Sequence, residues 1–400
     1  MIFPGKLTLA VLVTILLFFP GCPKPAAKQT TNNKNSVTEV ETISETSSFI
    51  TIIAAGDNLI HDIIYNRARV AGEDRFDFSP AYAQIKPIIE KADIAFVNQE
   101  TVMGGKQLGY SGYPVFNTPQ DAGLGLIDAG FNVINHASNH SMDRGEAAVF
   151  GTIDFWKSQG VNCLGIFKSE EERKTGKHIM EKNGIKTGFL SYTYGLNGFV
   201  LPRDKPWLVG LIDKEVMARE IGELRPHCDF LVVSMHWGSE FLHTVNDYQK
   251  EMALFLAEQK VDLILGHHPH VTAPVEVIDR PDGKKLFVYY SLGDILSHTQ
   301  SAYTQDTVTG ALAYIQVKKT GTKDTVYCTV ETATVIPTVC HYTLDRKKPF
   351  TAYPLWDYTD ELASIHFKKN LTVKYLNDVA RQVFGLRVLD RELFERLSAR

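Results

Sequence analysis

The chain has 400 residues and a formal net charge of −4, with 44% hydrophobic, 22% charged and 10% aromatic residues. That balance excludes a disordered chain, and without a basic footprint there is no electrostatic case for nucleic acid as a partner. The length suits about two core units, and nothing in it reads as a repeat array.

Near the N-terminus, Lys6 precedes an apolar run over residues 7–19, broken only by Thr8 and Thr14, and then Pro20-Gly21-Cys22. The run is short for a bilayer span and has the order of an export signal: a positive residue, an apolar stretch, a small residue. Gly21-Cys22 resembles the lipobox of bacterial lipoproteins, which implies a signal over 1–22 and a lipid on Cys22. Residues 23–48 are rich in Lys, Asn, Thr, Ser and Glu and read as a flexible polar tether. The expectation is an exported protein of the bacterial cell envelope, anchored at the membrane through Cys22. Export places Cys163, Cys228, Cys328 and Cys340 in a potentially oxidising compartment. The first two read as buried single thiols. Cys328 and Cys340 fall in neighbouring strand-like segments, and their pairing stays open.

From Phe49 onward, short β-branched or apolar runs each end in a polar cluster. FITIIAAGD ends at Asp57, with His61 beyond it, and ADIAFVNQE ends at Asn98 and Glu100. FNVINHASNHSMDRG passes from Phe131, Val133 and Ile134 into Asn135-His136, Asn139-His140 and Asp143. DFLVVSMHWGSE ends at His236 and Glu240, VDLILGHHPH at His267, His268 and His270, and LFVYYSLGD at Asp294. Runs apolar on both faces read as buried strands of a largely parallel or mixed sheet. Between them, residues 80–91, 121–129, 145–159, 213–224 and 247–259 carry apolar residues at helical spacing. The alternation predicts an α/β fold, in which ligands bind beyond the carboxyl ends of the strands, where every one of these clusters falls. Residues 311–317 and 325–335 alternate as outer strands around Gly321. From about Tyr353 the pattern turns helical, so 341–400 reads as a mostly helical C-terminal extension.

Imidazole, amide oxygen and carboxylate packed into one loop suit a metal ion or a proton-transfer site better than an ordinary turn. Glu100, following a buried strand, needs a partner such as a cation, because an unpaired buried carboxylate is costly. No Walker loop competes, since Gly104-Gly105-Lys106 lacks the flanking pattern.

GDNLIH, FVNQET, INHASNHSMDRG, VSMHWGSEF, LGHHPHV and YYSLGD occur in the order and approximate spacing of the CapA/PgsA-type family of capsule and poly-γ-glutamate synthesis proteins, which SYTYGLNG also resembles. The resemblance covers about residues 49–339. That family is similar in turn to calcineurin-like metallophosphoesterases, which implies a metallophosphatase-like layered β-sandwich flanked by helices over 49–340, with a centre of one or two divalent ions (Mn, Fe, Zn or Mg) at the strand ends. It further implies that Asp57, Asn98, Glu100, Asn139, His236, His268 and His270 hold metal. His140 stands near the leaving group, with Asp143 orienting it and His136 beside them as a further catalytic candidate. His61 is further from Asp57 than the superfamily's Asp-x-His spacing, and Asp294-Ile295 stands where the family more often has Asn-Phe. The implied activity is hydrolysis of a phosphoester or a related bond in an anionic polymer, alongside other membrane proteins of capsule synthesis. The alternative is a non-catalytic surface component that binds a metal or an anionic polymer. The Asn139-His140-Asp143 set separates the two, since binding alone does not require it.

Overall fold

The computed structural model describes residues 46–175, 178–299, 305–321 and 326–399. The export signal, Cys22 and most of the expected tether lie outside them, whereas Thr46 to Ser48 already open the first strand. The strands are β1 (Thr46–Asn58), β2 (Ile94–Asn98), β3 (Val133–Asn135), β4 (Asn162–Leu164), β5 (Ile179–Lys182), β6 (Ile185–Thr193) and β7 (Phe230–His236). They continue as β8 (Leu263–His267), β9 (Thr272–Asp279), β10 (Lys285–Leu292), β11 (Asp294–Leu296), β12 (Thr309–Gly321), β13 (Val326–His341) and β14 (Thr351–Pro354).

They form two mixed sheets. One runs β14-β13-β12-β1-β2-β3-β4, with β11 also paired to β1; the other runs β5-β6-β7-β8-β10-β9. The inner strands are parallel, β1 to β4 in the first sheet and β6, β7, β8 and β10 in the second. The period-two alternation of each strand divides its residues between two cores. Ile52, Ala54, Phe96 and Val133 of the first sheet face Phe189, Val232, Leu263 and Leu265 of the second. Their neighbours Ile53, Ala55, Val97 and Ile134 point the other way, against Ile64, Tyr82, Ile85 and Trp156 of the covering helices. On the far side, Leu231, Val233 and Ile264 pack under Met217, Ile221, Met252 and Leu256. The result is helix, sheet, sheet, helix, so the parallel strands are buried on both faces, as their unbroken apolar runs require.

The helices at Gly145–Ser158, Lys214–Leu224 and Asp247–Glu258 fall where the periodicity predicts them. Asp213 caps the second, and Asn246 with Gln249 forms a capping box on the third. The expected helix over 80–91 is instead two short ones, Ser79–Tyr82 and Lys86–Ile89. Pro87 lacks the N–H that a continuous helix needs, and it sits in the opening turn of the second piece. The C-terminal segment first supplies β14 to the edge of the first sheet, then helices at Asp360–Ser364, Val373–Phe384 and Arg391–Ser398. Leu376, Ala380 and Phe394 pack into the same core as Tyr82 and Trp156. Cys328 and Cys340 are both free and lie on the single strand β13. At extended-strand rise they are about 40 Å apart, which rules out a bond between them. Cys163 and Cys228 are half-buried free thiols.

Candidate metal centre

Strand register places the polar residues. Asp57, Asn98 and Asn135 pair in a row across the carboxyl ends of β1, β2 and β3. Thr193, His236 and His267 form the matching row across β6, β7 and β8. Asp294 opens β11 opposite Asp57. Gly56 permits this closeness: a side chain there would begin 1.9 Å from the Gly293 carbonyl oxygen, and the Asp57 N–H donates to that oxygen at 2.8 Å. After β8 the turn carries His268 (φ 97°) and His270 (φ 56°) in the left-handed region, an uncommon and costly conformation for residues with side chains. It sends both imidazoles inward, with the His268 ring 4.9 Å from that of His236 and 5.8 Å from that of His270. The His268 backbone N–H donates to Asp57 Oδ2 at 3.0 Å.

Glu100 lies at the middle. Its side chain is fully buried, and among the described residues neither carboxylate oxygen has a hydrogen-bond partner. His236 Nε2 is 3.6 Å from Oε1, and His270 Nε2 is 3.9 Å from it. Burial pushes the Glu100 pKa up; His270 opposes this, and the Asp57, Asp294 and Glu240 carboxylates add to it. Both ring nitrogens of His267 and Nδ1 of His268 are likewise buried and without hydrogen-bond partners. His267 Nδ1 stands 3.4 Å from Asp57 Oδ1. Burial works against charge on Asp57 too, but His267, His270 and the Asn98 amide prevail and hold its pKa below the ordinary value. Against its own burial, His270 is raised well above the ordinary imidazole value by Asp294, Glu100 and Asp57, and its Nδ1 meets Asp294 Oδ1 at 2.9 Å. His236 is held well below that value by burial and the neighbouring imidazoles, and His268 is pushed down to about 3 by burial and His270.

Buried carboxylates and unpartnered nitrogens aimed at one another form an incomplete set, and a cation completes it. Asp57, Glu100 and His270 offer ligand atoms within 4.8 Å of one another, and so do Glu100, His236 and His268. Glu100 belongs to both groups. A third group, Glu240 with His268 and His270, lies toward the exposed rim. Mixed nitrogen and oxygen donors suit zinc, iron or manganese.

The structure gives Asn98 a different part from the expected ligand. The Ala137 N–H donates to Asn135 Oδ1 at 3.0 Å, which fixes the flip of that amide. Asn135 Nδ2 then donates to Asn98 Oδ1 at 2.6 Å, and Asn98 Nδ2 to Asp57 Oδ1 at 2.7 Å. The Asn98 oxygen is therefore engaged, and its N–H holds the Asp57 carboxylate in place. Asn139 presents its oxygen to the cluster, 2.9 Å from His236 Nε2. His140 Nδ1 meets Asp143 Oδ2 at 2.7 Å, and that oxygen also accepts the Phe116 N–H at 2.7 Å. A carboxylate on Nδ1 fixes the ring and leaves Nε2 for a reacting group.

His136 is directed elsewhere. Its ring is fully buried in the first sheet's outer core, and Trp156 Nε1 donates to its Nε2 at 2.7 Å. Burial pushes its pKa down to about 3, the state of a neutral structural imidazole. His61 accepts the His298 N–H at 3.2 Å and belongs to none of the ligand groups. Conversely, the set implied by the resemblance omits Glu240, which belongs to the third group, and it omits His267 and Asp294, which stand against Asp57 and His270 and belong to no ligand group among the described residues. The His267 signal was present in its position as the last residue of an apolar run, level with His236.

The helix-flanked double sheet thus carries a histidine–carboxylate cluster, able to hold a metal ion, at its strand ends. The model of the bacterial capsule synthesis protein family PGA_cap matches residues 51–299, and the chain belongs to that family. It is 31% identical over 198 residues to the PGA biosynthesis protein CapA of Bacillus subtilis (strain 168), covering 49% of this chain and 50% of that one. It is 27% identical over 202 residues to the capsule biosynthesis protein CapA of Bacillus anthracis, covering 49% and 46%. The matches thus span about half the length of these curated relatives. Among solved structures it is similar to the NAD nucleotidase NadN of Haemophilus influenzae, with a TM-score of 0.42 and 12% identity over 88% of this chain and 66% of that one. A putative 5'-nucleotidase from Staphylococcus aureus gives 0.41 and 12% over 83% and 58%.

Proposed function

We propose that this chain is an exported, lipid-anchored, metal-dependent hydrolase that cleaves a phosphoester or a related bond of an anionic polymer during capsule or poly-γ-glutamate-type assembly. The observation that carries the reading is Glu100, a buried carboxylate without a hydrogen-bond partner among the described residues, shared by two ligand groups beside a His140–Asp143 pair. Asp57, Glu100, His236, His268, His270 and the Asn139 oxygen are the residues we assign to the ion or ions. When bound, a divalent ion supplies an acidified water and neutralises charge on the substrate oxygen. The protein's own part is to hold these groups and to exclude bulk water through their burial. Asp143 keeps the His140 imidazole oriented, so that a protonated Nε2 gives its proton to the leaving oxygen, help of roughly 10²–10⁴-fold. Membership of PGA_cap supports the capsule setting, and other membrane proteins of polymer assembly are the partners we propose. Lys6, the apolar run over 7–19 and Gly21-Cys22 support export and attachment through Cys22.

The test is metal content together with phosphomonoesterase and phosphodiesterase assays on the full chain and on His268→Ala. Near-stoichiometric Mn, Fe or Zn with turnover, both lost in the variant, supports the reading. Metal without turnover on any phosphoester turns it toward a binding component, and no metal in any preparation refutes the centre.

A further inference from the structure

The SYTYGLNG segment crosses the mouth of the centre from the opposite sheet. β6 ends at Thr193, and the chain then turns through residues 194–198. Leu196 anchors that turn in a satellite core with Met142, Val149 and Ile153, and Met142 belongs to the same loop as Asn139 and His140. Tyr194 lays its ring nearly parallel to His236, with centroids 6.4 Å apart, and 4.7 Å from the His268 ring, while remaining 45% exposed. Asn197 adopts a left-handed backbone (φ 49°), which asparagine tolerates better than most residues. Its side chain reaches back between Asn139 and His140. Asn139 Nδ2 donates to Asn197 Oδ1 at 3.2 Å, and Asn197 Nδ2 lies 3.4 Å from each ring nitrogen of His140.

An asparagine amide has two flips, one presenting oxygen and the other presenting N–H. Only the first suits a cation. Asn139 points its oxygen at His236 Nε2, and the acceptor on Asn197, together with the Tyr194 hydroxyl that also bonds the Asn139 side chain, favours that flip. Asn197 is exposed, so core packing does not account for an amide at this position. We propose that Asn197 is a positioning residue of the metal centre: its carbonyl selects the Asn139 flip that turns oxygen toward His236, and its amide lies against His140 and fixes the plane of that ring. The inference rests on the reading of the cluster as a metal centre. Residues behind the first ring of ligands commonly contribute tenfold or more to metal affinity by this kind of orientation.

The experiment is calorimetric titration of Mn²⁺ into metal-stripped full-length protein, comparing wild type, Asn197→Gly and Asn197→Asp. Glycine keeps the left-handed backbone and removes the side chain, so the loop is not strained. Aspartate keeps the acceptor for Asn139 and loses the donor that faces His140. The expected result is Mn²⁺ affinity about tenfold weaker in Asn197→Gly and at least as tight as wild type in Asn197→Asp. Any phosphoesterase turnover is expected to fall in both, with an altered pH profile in Asn197→Asp. Unchanged affinity in Asn197→Gly overturns the role, as does an Asn197→Asp variant as weak as Asn197→Gly, which would signify a collapsed loop. Absence of binding in wild type by Mn²⁺ and, in parallel titrations, by Zn²⁺ and Fe²⁺ overturns the metal centre itself, an outcome distinct from both.

Discussion

Glu100→Gln removes a charge while preserving shape, and its effect on stability has opposite signs with and without metal. In the metal-free protein the Glu100 side chain is buried, and among the described residues neither oxygen has a hydrogen-bond partner. A buried charge left uncompensated costs more than a neutral amide in the same place, so the variant is expected to be more stable than wild type in EDTA by about 1–3 kcal/mol. The pH dependence has a definite sign. Burial raises the folded-state pKa above the ordinary value of 4.5, so the unfolded chain releases this proton first. The penalty is absent below that value and grows as pH rises; the glutamine variant lacks this slope. With metal the order reverses. An ion at one hundred times its dissociation constant stabilises the wild type by about 2.7 kcal/mol per site. The variant loses the ligand common to both groups, and with it most of that gain. Urea denaturation of both proteins, in EDTA and in excess Mn²⁺, gives the four numbers required. If metal stabilises Glu100→Gln as much as wild type, Glu100 is not a ligand. If the variant is weaker than wild type in EDTA, the carboxylate has a stabilising partner in the folded protein and the reasoning fails.

Three further outcomes follow from the same geometry. His140→Ala is expected to keep its Mn²⁺ affinity while phosphoesterase turnover drops by roughly 10²–10⁴-fold, because His140 lies outside the ligand groups; loss of binding would assign it to the metal instead. Trp156→Phe leaves His136 Nε2 without its donor, so it is expected to cost about 1–3 kcal/mol of stability at unchanged Mn²⁺ affinity; altered affinity would return His136 to the centre. Burial holds His366, which belongs to none of the ligand groups, at a pKa of about 4 against an ordinary 6.5. The unfolded chain therefore binds this proton first, and stability is lost as pH falls from about 6.5 to about 4, by up to ~3 kcal/mol. Denaturation midpoints of Mn²⁺-loaded wild type and His366→Gln across that range check it; parallel pH profiles would refute it.

The strands were legible because burial on both faces leaves an apolar run with nothing to confuse it, and β2 and β7 are buried at every position. Their polar ends were legible for the same reason, since a histidine or carboxylate directly after such a run has no solvent to face. Atom-level roles were not. Asn135-His136 and Asn139-His140 look alike in the sequence, yet one imidazole accepts a hydrogen bond from Trp156 in the core and the other meets Asp143 beside the cluster. What separates them is an indole on a helix that begins five residues after His140. Asn98 is similar: a chain of hydrogen bonds that starts at the Ala137 N–H decides which end of its amide faces Asp57. Local pattern also misplaced β14, whose edge pairing with β13 is a long-range fact.

The division of ligands between the sheets has a consequence for the fold. The ends of β1 and β2 contribute Asp57 and, just beyond, Glu100, whereas the end of β7 and the turn after β8 contribute His236, His268 and His270. Among the described residues, neither of the two groups that share Glu100 is held by one sheet alone: Glu100 needs His236 and His268 in one, and Asp57 and Glu100 need His270 in the other. The inner core of Ile52, Phe96, Val232 and Leu265 therefore does two things at once. It buries apolar surface, and it brings the carboxylate row against the imidazole row at a separation that the core side chains set. By linkage, an ion bound across that seam stabilises the closed sandwich, because it binds the folded arrangement and not the separated sheets. A cavity-forming change in the inner core, such as Phe96→Leu beneath the His267 ring, is thus expected to weaken metal binding as well as folding. A cavity-forming change in the far core, such as Leu256→Ala, is expected to weaken folding alone, and the comparison of the two by Mn²⁺ titration tests whether the seam is what holds the centre together.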